Sequence, residues 1–202
     1  MPARLTLSAL SALSAASLLA LPADAAVPDP RFSTTDLIVV GSPLGIAIGG
    51  APPGFDVTVR DVHNVPLAGS TVELRLGAAG LKLYATQQSG TTINCAAGTI
   101  SRVTNAAGAV NFVPRFGGWN DAYAVEVIAD GVVLSLVKAR SLDYDKDGKV
   151  GIADFSAFSE DFLTQPATLR SDFDLSGVVG IGDFSIFSEQ FPGPGTVQPT
   201  CP

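Results

Sequence analysis

Histidine, tryptophan and methionine each occur once in the 202 residues, and cysteine twice. The lone histidine, His63, lies beside Asn64 and Pro66 in a predicted turn. With no second histidine there is no histidine-based zinc site. No Gly-x-Ser motif with a nearby base supports a Ser-His-Asp triad. No other catalytic constellation is present, and we expect the chain not to be an enzyme. Basic residues are also sparse, 12 Lys and Arg against 19 Asp and Glu, and they form no run. That argues against nucleic acid as a partner. Beyond the first twenty-odd residues, no apolar stretch is long enough to span a bilayer.

The one long apolar stretch is N-terminal. Met1-Pro2-Ala3-Arg4 precedes a run of small and apolar residues from Leu5 to Leu21, and Ala23-Asp24-Ala25 follows. This is the layout of a secretory signal peptide, residues 1–25, cut after Ala25. The alternative is an uncleaved anchor, but Ser8, Ser11, Ser14 and Ser17 dilute the stretch. The expected location is secreted or extracellular, possible attachment to a cell surface included. Export permits a disulfide. Cys95 and Cys201 allow one intramolecular bridge, tying the chain end to a mid-chain loop; two unpaired or intermolecular thiols are the other reading.

Residues 26–140 read as strands. Phe55–Arg60, Thr71–Leu76 and Ala109–Val113 alternate with period two, as half-buried strands do. Asp130-Gly131 between two alternating runs signals a hairpin. Val65–Gly69 and Asn105–Gly108 supply further turns. Short strands at this spacing, without a helical period, predict a β-sandwich. Trp119 in a Gly-rich segment either stacks on a sugar or anchors a partner, or plugs one end of the sandwich. The pattern Val59-x-Asp61, Pro66-x-x-Gly69-x-x-Val72 and Thr104-Asn105-x-x-Gly108-x-Val110-x-Phe112 resembles bacterial immunoglobulin-like repeats of the invasin type. That resemblance implies an adhesion or spacer module.

The chemistry lies in residues 141–192. Asp143–Phe162 and Asp172–Phe191 align without a gap, and thirteen of the twenty positions are identical by direct count. Each copy opens with a twelve-residue loop. Asp143, Asp145, Asp147, Gly148 and Asp154 occupy positions 1, 3, 5, 6 and 12 of the first; Asp172, Asp174, Ser176, Gly177 and Asp183 occupy those of the second. This is EF-hand spacing. Alternate side chains of a curled loop point inward, and glycine at position 6 takes the positive φ of the turn. Position 7, Lys149 or Val178, offers its backbone carbonyl. Position 9 is Gly151 or Gly180, where water is expected. Two calcium ions are expected, the first loop binding more tightly because it carries four carboxylates against three. Val150 and Val179 at position 8 are expected to join the loops through a short β-bridge.

A helix is predicted after each loop. Phe155, Phe158 and Phe162 fall on one face, as do Phe184, Phe187 and Phe191. These faces are either a docking surface or the core that so small a unit needs. No entering helix of useful length precedes either loop, so the unit is loop–helix. Here the chain resembles the type I dockerin family, which has two such calcium repeats with Asp at position 12 and an exported setting. The resemblance implies calcium-dependent attachment to a protein, a cohesin-like or other extracellular one. Positions 10 and 11, polar and partner-selecting in that family, are Ile152-Ala153 and Ile181-Gly182 here. Packing of the pair on its own sandwich is the competing expectation. The fold class expected is therefore mostly β: an immunoglobulin-like β-sandwich, then a small all-α dockerin-like pair, then a flexible tail at 193–202. Carbohydrate binding and a purely structural surface role stand as alternatives.

Overall fold

The computed structural model describes residues 26–45, 54–165, 169–191 and 197–202. The expected signal peptide lies outside the described residues. The fold is mostly β. Strands β1 (Thr34–Thr35), β3 (Phe55–Thr58) and β8 (Ala109–Phe112) form a three-stranded antiparallel sheet in the order β1-β3-β8. A six-stranded sheet contains β2 (Ile38–Gly41), β4 (Thr71–Arg75), β6 (Thr92–Asn94), β7 (Thr99–Val103), β10 (Asn120–Ala129) and β11 (Val132–Ser141). Its order is β2-β11-β10-β4-β7-β6, antiparallel except where β2 lies parallel to β11. A short pair, β5 (Lys82–Leu83) and β9 (Phe116–Gly117), completes the β unit.

Alternation places the apolar residues as period two requires. Phe55 and Val57 of β3 are buried while Asp56 is exposed, and Val72 and Leu74 of β4 are buried between exposed Thr71 and Arg75. These residues share one core with Val110, Phe112, Ile100, Val125, Val127 and Val137. The β10–β11 hairpin turns at Asp130 (φ 45°) and Gly131 (φ 84°). Both central residues take positive φ, the turn that matches strand twist. Asn105 organises another turn: its side-chain oxygen accepts the Ala107 and Ala109 N–H groups, at 2.9 and 3.1 Å.

Two helices follow, α1 (Ile152–Thr164) and α2 (Ile181–Gln190). They and their loops have a separate core of Leu142, Val150, Phe158, Phe173, Val179, Ile186 and Phe187. Phe158 stacks on Phe187 at 5.0 Å and on Phe173 at 6.3 Å between ring centroids. The rings thus divide. Phe158 and Phe187 are buried, whereas Phe155 and Phe184, one turn earlier, remain 37% and 42% exposed. Val40 of β2 packs against this second core, so the two units touch through apolar surface as well.

The end of the chain corrects the expected flexible tail at 193–202, within its described part. Val197–Pro202 is fixed to the β unit. Thr200 forms a bridge with Tyr84, Ala85 N–H donates to the Pro199 carbonyl (2.8 Å), and Cys201 N–H donates to the Leu83 carbonyl (2.9 Å). Cys95 and Cys201 are joined by a disulfide, their Cα atoms 5.1 Å apart. The composition of Pro192–Pro199 said nothing of these long-range partners.

Candidate metal centre

Both loops build the same frame from local hydrogen bonds. In the first, Asp143 Oδ1 accepts the Asp147 N–H (3.2 Å) and Oδ2 the Gly148 N–H (3.0 Å). In the second, Asp172 Oδ1 accepts the Ser176 N–H (2.9 Å) and Oδ2 the Gly177 N–H (3.1 Å). The position-1 carboxylate therefore curls the next five residues around itself. Gly148 (φ 93°) and Gly177 (φ 90°) supply the left-handed turn, and Lys146 and Leu175 at position 4 also take positive φ.

Position 12 closes each loop onto its helix. Asp154 Oδ2 accepts the N–H of Gly151, the residue preceding α1 (2.8 Å), and its Oδ1 accepts the Tyr144 N–H (2.7 Å). Asp183 does the same with Gly180 (2.7 Å) and Phe173 (2.5 Å). The shorter aspartate is thereby both a loop carboxylate and a helix cap, a favourable place for negative charge.

The geometry brings one carboxylate oxygen from each of Asp143, Asp145, Asp147 and Asp154 within 4.8 Å of one another, and likewise Asp172, Asp174 and Asp183. Position 1 and position 12 are buried in both loops, while Asp145, Asp147 and Asp174 are exposed. Ser176 is exposed, and its hydroxyl donates to the Val178 carbonyl (3.1 Å), which brings positions 5 and 7 together. Lys149 is exposed, its Nζ 3.2 Å from Asp147. Burial is the main cause that raises the Asp143 carboxyl to about 6, against hydrogen bonds from Tyr84 and Gly148 that lower it. Burial likewise raises Asp154 and Asp183.

These residues fit a hard cation. The donors are all oxygen, they converge, and the first loop gathers buried negative charge at Asp143 and Asp154 while its own lysines engage other groups. Lys149 pairs with the exposed Asp147, and Lys146 Nζ donates to the Gly80 carbonyl (2.8 Å). Buried carboxylates left in such a cluster without a compensating charge are costly. Each cluster can hold a metal ion.

No family profile, no curated protein and no solved structure matches this chain. The site therefore stands on its own geometry.

Several residues that sequence reasoning missed complete it. Tyr84, fully buried in the β unit, donates its hydroxyl to Asp143 Oδ2. Arg140, at the end of β11, donates to the Asp172 carbonyl and lies 3.3 Å from its carboxylate. Position 1 of each loop is thus gripped from the β unit. Arg170 forks onto Asp161 at 2.7 and 2.9 Å; Ser171 also donates to Asp161 and meets the Tyr144 hydroxyl at 2.5 Å. This network ties the end of α1 to both loops. Trp119 is 37% exposed and carries the Arg170 guanidinium 5.6 Å from its ring centroid. His63 is a solvated side chain, 82% exposed.

The expected β-bridge between Val150 and Val179 is replaced. Both valines are buried, but Val179 is clamped by the Gln165 side chain. Gln165 Oε1 accepts the Val179 N–H (3.0 Å) and Nε2 donates to the Val179 carbonyl (2.7 Å). Gln165 sits in left-handed conformation (φ 49°) just past α1, which turns its amide toward the loop. Replacing Gln165 by Ala removes both bonds from a half-buried backbone segment. It is expected to cost about 1–2 kcal/mol in urea unfolding; a loss within error of zero would mean that solvent takes over the clamp.

Proposed function

We propose that the chain is an exported calcium-binding protein whose dockerin-like loop–helix repeats mediate calcium-dependent protein–protein attachment. The β unit is an immunoglobulin-like sandwich serving as adhesion or spacer module. The observation that carries the reading is the duplicated frame: two loops with the same hydrogen bonds, each gathering carboxylates at positions 1, 3 and 12 within 4.8 Å. Calcium takes six to eight oxygens in flexible geometry, and bound there it would neutralise the clustered charge and cross-link each loop to its helix. Asp143 and Asp172 organise the loops, Asp154 and Asp183 couple them to α1 and α2, and the carbonyls of Lys149 and Val178 complete the donor set.

Attachment needs an exposed surface that the ordered loops hold in shape. Phe155, Phe158, Phe162, Leu163, Ile181 and Phe184 line an open apolar groove of about 380 Å³ between the helices. Leu163 and Ile181 are 81% and 70% exposed. An apolar patch held on a small rigid unit fits an extracellular protein partner, cohesin-like or other.

A second reading, in which calcium only rigidifies the pair of units, is favoured by Tyr84 and Arg140, which fasten both loops to the β unit. Immobilised mature protein, exposed to the culture medium of its own source with calcium or with EDTA, separates the two. Attachment predicts one dominant protein, retained only with calcium and lost on Phe184→Asp. Retention that ignores Phe184→Asp, or no retention, supports the rigidifying role.

A further inference from the structure

We propose that Arg140 is a built-in cation of the second loop, and that it holds the calcium affinity of that loop below what its own carboxylates would give. The inference rests on the calcium reading above and concerns how the two sites are made unequal. The loops are near copies, yet their position-1 aspartates meet different groups from the β unit. Asp143 receives a neutral phenol from Tyr84. Asp172 faces a guanidinium 3.3 Å away, with the two side chains 5% and 3% exposed. A full positive charge buried at that distance repels an incoming cation, little screened by water or salt.

The pair is not arranged as a tight structural fork. One terminal nitrogen of Arg140 serves both the carbonyl and the carboxylate of Asp172, while Nε is buried without a partner, alone in that respect among the described side chains. A carboxylate–guanidinium contact optimised for cohesion would use two parallel bonds. Arg140 is instead placed by its strand: Arg140 pairs with Val40 in the β2–β11 register, and Leu142 enters the second core just beyond. The strand end thus inserts one positive charge into a loop that has only three carboxylates, Asp172, Asp174 and Asp183. Calcium affinity follows ligand charge count, so the guanidinium lowers the attraction of an already weaker site.

Calorimetric calcium titration of the full mature chain, with melting in EDTA, tests this. Arg140→Met keeps the apolar stem, Arg140→Gln removes the charge while keeping a polar end, and Arg140→Lys keeps the charge. Asp174→Asn identifies the second-loop event by removing it. The neutral variants are expected to tighten that event roughly tenfold, to leave the first loop within about twofold, and to melt lower in EDTA because Asp172 loses its counter-charge. The lysine variant is expected to stay near the parent affinity. A merely structural Arg140 would move both readouts the same way, weakening calcium binding as well as the fold. Unchanged or weakened second-loop affinity in both neutral variants, with two events in the parent, overturns the inference alone. Absence of any calcium event in the parent overturns the calcium reading and this inference together.

Discussion

Stripping calcium from the chain is expected to lower its melting temperature by about 5–10 °C. Calcium that binds the folded form alone stabilises it by mass action, about 2.7 kcal/mol per site at a hundredfold excess over the dissociation constant. For a chain of this size one kcal/mol moves the midpoint by about 2–4 °C. The first loop should supply most of the shift. It carries four carboxylates, and burial holds the Asp143 carboxyl above its ordinary range in the absence of a cation. Asp143→Ala should remove the tighter calorimetric event and most of the calcium-dependent shift, with the second event retained. The comparison is differential scanning calorimetry in millimolar calcium and in EDTA. Equal midpoints in the two conditions would sink the calcium reading.

The second large effect concerns the disulfide. Cys95 and Cys201 are 106 residues apart in sequence. Closing so long a loop restricts the unfolded chain, and losing the bond costs about 2–5 kcal/mol. The double variant Cys95→Ala, Cys201→Ala should lose that much in denaturant unfolding. A second consequence is local. The Gln198 N–H donates to the Gly148 carbonyl (2.9 Å), so the tail braces the first loop at position 6. Without the disulfide, Val197–Pro202 should become open to carboxypeptidase, and the first loop should bind calcium more weakly while the second does not change. A variant that resists carboxypeptidase as the parent does would show that the backbone bonds alone hold the tail.

The candidate site was legible in the sequence because its frame is local. Positions 1, 3, 5, 6 and 12 lie within one loop, and the backbone donors that fix Asp143 and Asp154 come from residues at most ten away. The hairpin at Asp130-Gly131 was legible for the same reason, since two positive φ angles need those residue types. Tyr84 and Arg140 were not. They reach the loops across 59 and 32 residues of sequence, and neither sits in a motif. The parallel pairing of β2 with β11 escaped likewise, because period two marks a strand without naming its neighbour. The phenylalanines fell between the two expectations. Spacing correctly placed them on one face, but only the depth of the second core decides that Phe158 is buried and Phe155 is not.

The disulfide also redirects mechanical load. Tension applied between Ala26 and Pro202 runs along the chain to Cys95 and crosses to Cys201, so everything from Ala96 to Thr200 lies off the line of force. Both acidic loops, both helices and the apolar groove between them belong to that sheltered stretch. While the bond is intact, pulling on these two residues loads the backbone of the first strands of the β unit, and force reaches the repeats only through non-covalent contacts such as Tyr84 on Asp143 and Val40 on the second core. A tethered molecule could then be sheared in flow without its loops being drawn open.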